Sequence, residues 1–375
     1  MLAGPGPFGF LLVAKLCARN LRAIVLVQSV VAVAAWGFLT TTVAGMVRSN
    51  VARWVGFAGV LGLALAPGVL QWNAVITTES LSLSTLCAVI ACAIRLVERG
   101  TRRELVWFLA ALAAFAYTRD TNALLAGGIG VLGLACAVRP AWRVRAVTVG
   151  AVGVALAVSA TALANAAQPP RWYWPVAETT AIRLLAEPEA TRYLVDHGFP
   201  WDPQMRTLPE RYIALYVPVT EGPQFAAFRA WVRRDGRRVY LDYLVSHPGW
   251  ALRKPFDDRN LVLDVSGVEG YGRLFHIRPG GPFTFAGAIA APASSALMEI
   301  WVCAAALGLV VLTRRRRVRP AFAGVVGLIG LFAIFGYYAA WHGDALEVAR
   351  HSLTAGIEMR LACWKIGRAS CRERV

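Results

Sequence analysis

Lysine is almost missing from this sequence. Lys15, Lys254 and Lys365 are the only three, although Lys and Arg together number 39 in 375 residues. Arginine therefore carries the positive charge, and among abundant Ala, Gly, Val and Pro this bias reads as translation of a GC-rich genome rather than a demand for guanidinium chemistry. Charge of either sign is scarce as well: Asp, Glu, Lys and Arg make up 16%, against about 25% in a soluble domain. With 57% hydrophobic residues and a mean hydropathy of +0.52, that scarcity excludes a soluble globular protein. A Walker loop, a GxSxG elbow and an HExxH helix are all lacking, which removes sequence support for the chemistries those motifs carry. The seven cysteines show no CxxC spacing, and none lies in the polar middle of the chain. They read as small hydrophobes inside apolar runs.

What the chain has in quantity is apolar runs close to the 20 or so residues that cross a hydrocarbon core. They fall at 23–46, 54–71, 80–97, 105–117, 121–138, 146–166, 297–313 and 320–340, and a ninth begins near Ser352. The expected fold class is an all-α polytopic membrane protein with about eight to nine transmembrane helices and one mostly helical extracytoplasmic domain. Residues 1–166 form an N-terminal transmembrane region of about six spans, 167–283 the extracytoplasmic domain, and 284–364 a C-terminal transmembrane region of two spans and part of a third. The last stretch, KIGRASCRERV (365–375), resembles a translated sequencing-library adapter and is set aside as an artefact.

The formal charge of +17 raises the question of nucleic acid, and its distribution answers it. Arg48 and Arg53, then Arg95, Arg99, Arg102 and Arg103, then Arg139, Arg143 and Arg145, then Arg314 to Arg317 and Arg319 occupy alternate loops. By the enrichment of Lys and Arg in cytoplasmic loops, these face the cytoplasm. The intervening segments QWNAVITTES (71–80), TRDTN (118–122) and WHGDALEVARH (341–351) hold only Arg119 and Arg350 and face outward. Lys15, Arg19 and Arg22 run against this assignment, but the whole-chain count favours it. Charge spread over four loops serves topology, so no nucleic-acid partner is expected.

The middle section carries fifteen basic and thirteen acidic residues, too nearly balanced for an electrostatic platform. Its signals are helical. A helix from Glu187 to His197 is stopped by Gly198 and Pro200. Thr207 and Glu210 have capping-box spacing. Phe225, Phe228, Trp231 and Val232 recur at helical spacing, and a further helix from near Arg237 ends at Pro248. Loops are expected from about Ser266 to Phe285. Trp172, Tyr173, Trp174 and Trp201 suit interfacial anchoring better than stacking on sugars.

Candidate chemistry gathers in the outward segments, which hold all five histidines. Ionisable groups beside a bilayer are costly and therefore candidates for function. Asp344, Glu347 and His351 share a face if WHGDALEVARH is helical, with Arg350 beside them. The bland reading is an Asp cap and a Glu–Arg pair opening the ninth span. Glu79 lies where ITTESLSLS re-enters the membrane, with Thr77 or Thr78 as a cap. Arg119 and Asp120 sit at one turn and are expected to pair with each other. Glycine-rich AGGIGVLG (126–133) suits close helix packing.

The order of spans, Gln28 in LVQSVVAVAAW, ITTESLSLS around Glu79, the RDTN turn and the late DALEVARH together resemble bacterial membrane glycosyltransferases of the GT-C superfamily, which includes protein mannosyltransferases and lipid A aminoarabinose transferases. The resemblance covers most of residues 8–364 and rests on short motifs. It implies an inverting transferase of the bacterial cytoplasmic (inner) membrane. Such an enzyme moves a sugar from a polyprenyl-phosphate carrier to an envelope glycan, lipid or protein at the outer face, with residues 167–283 outside. Glu79, Asp120, Asp344 and Glu347 then become candidate catalytic or supporting carboxylates, and Arg119, Arg350 and His351 the substrate-binding groups. Divalent metal is left open, since the superfamily is not uniform in using it. The family's catalytic acid follows a first span that has no counterpart before Pro5, so the resemblance implies truncation at both ends and an inactive chain as it stands. The alternatives are a membrane transporter or lipid flippase, which wants charged or broken helices at mid-bilayer, and a non-enzymatic envelope scaffold.

Overall fold

The computed structural model describes residues 8–46, 50–138, 140–167, 170–212, 219, 221–263, 320–345 and 348–370. Among them every extended element of regular structure is helical. The first stretch is a short helix, α1 (Phe8–Leu16), turned back through Ala18 and Arg19, both in the left-handed region at φ 48° and 59°. Each such residue costs roughly 1 to 2 kcal/mol. Asn20 then caps α2 (Leu21–Gly45) by accepting from the backbone N–H of Arg22 and Ala23 at 3.0 and 3.2 Å. α3 (Asn50–Ala64) and α4 (Pro67–Leu70) meet at a bend because Pro67 forces Ala66 out of helical conformation, to ψ 133°.

α5 (Glu79–Arg99) and α6 (Arg102–Ala116) form a hairpin whose turn is built by local chemistry. Gly100 ends α5 at φ 62°, and Thr101 Oγ1 caps α6 by accepting from Glu104 N. The buried Glu104 carboxylate accepts from Arg95 at 3.0 Å and Arg99 at 3.1 Å, tying the two helices together. α7 (Asp120–Cys136) and α8 (Arg143–Asn165) approach backbone to backbone. A Cβ on Gly130 would stand 2.8 Å from Val154 N, and one on Gly153 would stand 2.7 Å from Ala126 O. The glycine-rich run is thus a packing device, as its composition indicates.

Among the described residues four helices are long and apolar enough to cross a membrane: α2, α5, α8 and Gly324–Gly343, the body of α16 (Pro320–Gly343). The pair Gly56–Ala64 and Pro67–Ala74, bent by 52°, makes a fifth if it is one broken span. Among the described residues the protein is therefore all-helical, with four to five helices able to cross a membrane, and the expected eight to nine are not reached there. α6 and α7 fill the runs at 105–117 and 121–138 with 15 and 17 residues, short of a full crossing. α17 (Val348–Ser370) stands where the ninth span was expected, yet it carries Glu358 and Arg360 with 3% and 0% exposure. It packs against α3, α5, α16 and the short helix Arg259–Leu263. The run at 297–313, the loops at 266–285, His276, Cys303, Cys371 and Arg314 to Arg319 lie outside the described residues.

Between the bundle's two parts lies a helical domain with its own core of Tyr173, Leu184, Leu194, Phe228, Trp231 and Tyr243, among others. It holds α9 (Tyr173–Thr179), α10 (Pro188–Asp196), α11 (Leu208–Arg211), α12 (Ala226–Trp231), α13 (Arg237–Ser246), α14 (Pro248–Asp257) and α15 (Arg259–Leu263). α10 ends as its residues indicate, with Gly198 following at φ 80°. Phe225, Phe228, Trp231 and Val232 are all buried. The expected capping box at Thr207 is not made, because its hydroxyl donates back to Gln204 O at 2.9 Å. Tyr173 is core rather than an interfacial anchor, at 1% exposure.

α16 holds this domain. Pro255 lies inside α14 and has no N–H, so the Ala251 carbonyl four residues earlier has no helical donor. His342 Nε2 lies 2.9 Å from that oxygen and donates to it. Tyr240 OH donates to His342 O at 2.9 Å, and His342 Nδ1 lies 3.2 Å from the same hydroxyl. Tyr337 and Tyr338 donate to Pro255 O and Leu252 O, and the Trp341 indole donates to Asp258 at 2.9 Å. Arg183 lies 3.8 Å over the Trp341 ring.

Candidate functional site

Glu79 and Arg99 open and close α5, so the two ends of the bundle stand about 30 Å apart. The turn around Glu104 marks one end. At the other, three helices begin close together: α5 at Glu79, α7 at Asp120 and α17 at Val348. Their first turns point partial positive charge at a common region, which favours carboxylates there.

The Glu79 side chain is buried, with 1% exposed, and faces two guanidiniums from different helices. Arg119 Nη1 lies 3.6 Å and Arg350 Nε 3.3 Å from its Oε1. Neither contact has hydrogen-bond alignment, so both carboxylate oxygens keep unused acceptor capacity. Arg119 is pinned by the extended backbone before α7. Arg350 is the more open of the two, its side chain 23% exposed against 6%. Its Nη2 lies 2.8 Å from His351 Nε2, so that nitrogen accepts and the imidazole is neutral in this arrangement. Asp344 Oδ2 is 3.4 Å from the same nitrogen.

The residues singled out from sequence are thus largely brought together, but with different partners. Arg119 turns to Glu79, while Asp120 is engaged by Arg171 at 3.2 Å, so the expected bond within the turn gives way to one with a residue beyond α8. Asp344 and His351 do not share a helical face: α16 ends at Gly343, Asp344 lies just past it, and its Oδ2 is 3.4 Å from His351 Nε2. Glu347 lies outside the described residues. Thr78 holds the cap position of α5 without a side-chain cap bond; Gln28 Nε2 instead donates to Thr77 O at 2.9 Å.

A buried polar layer lies under the trio. Asn122 Nδ2 donates to Ser82 Oγ at 2.9 Å and to Phe115 O at 3.1 Å, and Ser82 Oγ is 3.5 Å from Thr354 Oγ1. Its sequence signal is the alternating serines of ESLSLS, in a helix otherwise dominated by apolar residues. Deeper along α17, Arg360 donates to Gly356 O and Leu263 O. Among the described residues no three His, Cys, Asp or Glu side chains form a metal-ligating group.

No family model, curated protein or solved structure matches this chain. Two guanidiniums beside one carboxylate suit a phosphate, which takes charge-assisted and often paired bonds from arginine. The carboxylate's open acceptor positions suit a hydroxyl donor.

Proposed function

We propose that the chain is a membrane-embedded transferase of the bacterial cytoplasmic membrane, moving a sugar from a polyprenyl-phosphate carrier to an envelope acceptor on the side of the Glu79 site. In this reading residues 167–283 lie outside, further crossings bring the count to eight or nine, and the chain resembles the GT-C superfamily. The observation that carries it is the convergence of Arg119 and Arg350 on buried Glu79. Arg350, the open member, meets the carrier phosphate first and Arg119 backs it. As the acceptor oxygen bonds to the anomeric carbon, the bond from that carbon to the phosphate oxygen breaks with inversion. The phosphate leaves with the electron pair, and the guanidiniums take up its added negative charge. A carboxylate accepts the acceptor's hydroxyl proton. Glu79 then orients that hydroxyl, with His351 beside Arg350.

Donor binding tests this without requiring turnover. Decaprenyl phosphate titrated into the detergent-solubilised chain should quench tryptophan fluorescence, and Arg350→Ala should weaken binding about ten- to hundredfold, the equivalent of about 1.5 to 3 kcal/mol. Unchanged binding in folded Arg350→Ala and Arg119→Ala variants would remove the site from the reading. A transporter or flippase is favoured by one observation, the burial of Glu358 and Arg360 inside α17. Lipid flipping by the reconstituted chain, lost in Glu358→Gln but kept in Arg350→Ala, would select it.

A further inference from the structure

The near-balance of charge in the middle domain conceals a local excess. α12 continues into α13 through one π-helical turn, Val232–Gly236, a feature often found at functional sites. Val232 and Gly236 face inward, Gly236 against Val176, while Arg233, Arg234, Arg237 and Arg238 are exposed. With Trp172, Leu241 and Asp242 these four arginines line a cleft of about 430 Å³. The acids nearby are already engaged: Asp235 with Arg234 at 2.6 Å and Arg238 at 3.6 Å, and Asp242 with Arg238 at 3.7 Å. Arg233 and Arg237 have no carboxylate partner among the described residues. They lie over aromatic rings instead, Arg233 at 5.4 Å from Tyr173 and Arg237 at 5.8 Å from Trp172. Such contacts position a guanidinium without neutralising it.

The cleft's height is fixed by the residue before Trp172. Arg171 N donates to Ala164 O in the last turn of α8, and Arg171 Nη1 is 3.2 Å from Asp120 at the start of α7. Trp172 therefore sits beside the end of an apolar 23-residue helix, the level at which tryptophan meets lipid head groups. Beyond the arginines, the open face of α13 continues with Leu241 and Val245, 48% and 81% exposed. Paired cations, an indole and an apolar flank at this height fit a phosphate with a hydrocarbon attached.

We propose that this cleft binds the phosphate head group of an anionic phospholipid from the adjoining leaflet, held by Arg233 and Arg237 against Trp172, with the lipid's apolar portion along Leu241 and Val245. The site is separate from the Glu79 trio and stands whether or not the chain is a transferase.

The test uses the full chain purified from vesicles of phosphatidylcholine with phosphatidylglycerol as the anionic lipid, which attracts basic surfaces. Mass spectrometry of the gently delipidated protein counts the lipids retained. The wild type should keep phosphatidylglycerol in preference to phosphatidylcholine, and retention should fall about tenfold in Arg233→Ala/Arg237→Ala. The Lys/Lys variant should be intermediate, since it keeps charge but loses the planar fork. Arg253→Ala, an exposed arginine on α14, should leave retention unaltered. Circular dichroism confirms that each variant is folded. Equal phosphatidylglycerol retention by wild type and the folded double alanine variant would overturn the proposal. So would equal retention of both lipids, or displacement by millimolar inorganic phosphate, which would mark a site for soluble anions.

Discussion

Replacing Glu79 with alanine removes the carboxylate that two cations face, and its cost can be worked from the geometry. At 3.3 and 3.6 Å, and with an effective dielectric of about 20, each contact is worth about 5 kcal/mol of gross attraction. Desolvating the ions offsets much of that, so the trio adds little net stability over an apolar replacement. Removing one member is different, because the others stay buried: the expected loss is about 3 to 5 kcal/mol. Arg119 bears most of it, since its side chain is only 6% exposed. Arg350→Ala leaves the Glu79–Arg119 pair standing and should cost less, about 1 to 3 kcal/mol. Unfolding of the purified chain by sodium dodecyl sulfate in mixed micelles, followed by tryptophan fluorescence, measures these differences. Glu79→Ala/Arg119→Ala should be less destabilised than the sum of its single variants by at least about 1 kcal/mol. Glu79→Gln should be stabilised by added phosphate more than wild type, because an anion then replaces the missing charge. A Glu79→Ala variant within about 0.5 kcal/mol of wild type, or an additive double variant, would refute the view that these charges act as one unit.

Two further outcomes are expected. Single cysteines at Arg99 and Arg143 should resist a membrane-impermeant thiol reagent on intact cells while one at His247 reacts; labelling of the first two without permeabilisation would invert the orientation. Gly153→Leu should destabilise by at least about 1 to 3 kcal/mol in the same micellar titration, because its Cβ alone would stand 2.7 Å from Ala126 O; a neutral effect would mean that α7 and α8 separate at little cost.

Much of the site could be read from sequence because its members stand at the ends of apolar runs, where ionisable groups are conspicuous: Glu79 opens α5, Arg119 precedes α7 and Arg350 lies in the first turn of α17. Their pairing was hidden, because it depends on which helices are neighbours. Asp120 finds Arg171 only after α8 has returned to the same end. Glu358 and Arg360 escaped notice since α17 reads as one more span, and the burial of nearly all its residues from Ser352 to Leu361 is a product of packing. In the middle domain the spacing of Phe228, Trp231 and Val232 announced a helix. The π turn did not show, because it arises where Gly236 closes on Val176. The capping-box pattern at Thr207 failed for a local reason, a competing bond to Gln204 O.

The attachment of α14 to α16 has a consequence in time. Pro255 and the tyrosine that caps its carbonyl are 82 positions apart. At about 5 to 20 residues per second, roughly 4 to 16 seconds of synthesis separate them. During that interval the Ala251, Leu252 and Pro255 carbonyls have only water as their outside partner. The domain must therefore hold its shape on its own core while the ribosome is still at work. Its docking is a closing step of biogenesis, taken when Tyr337, Tyr338 and His342 emerge and replace that water.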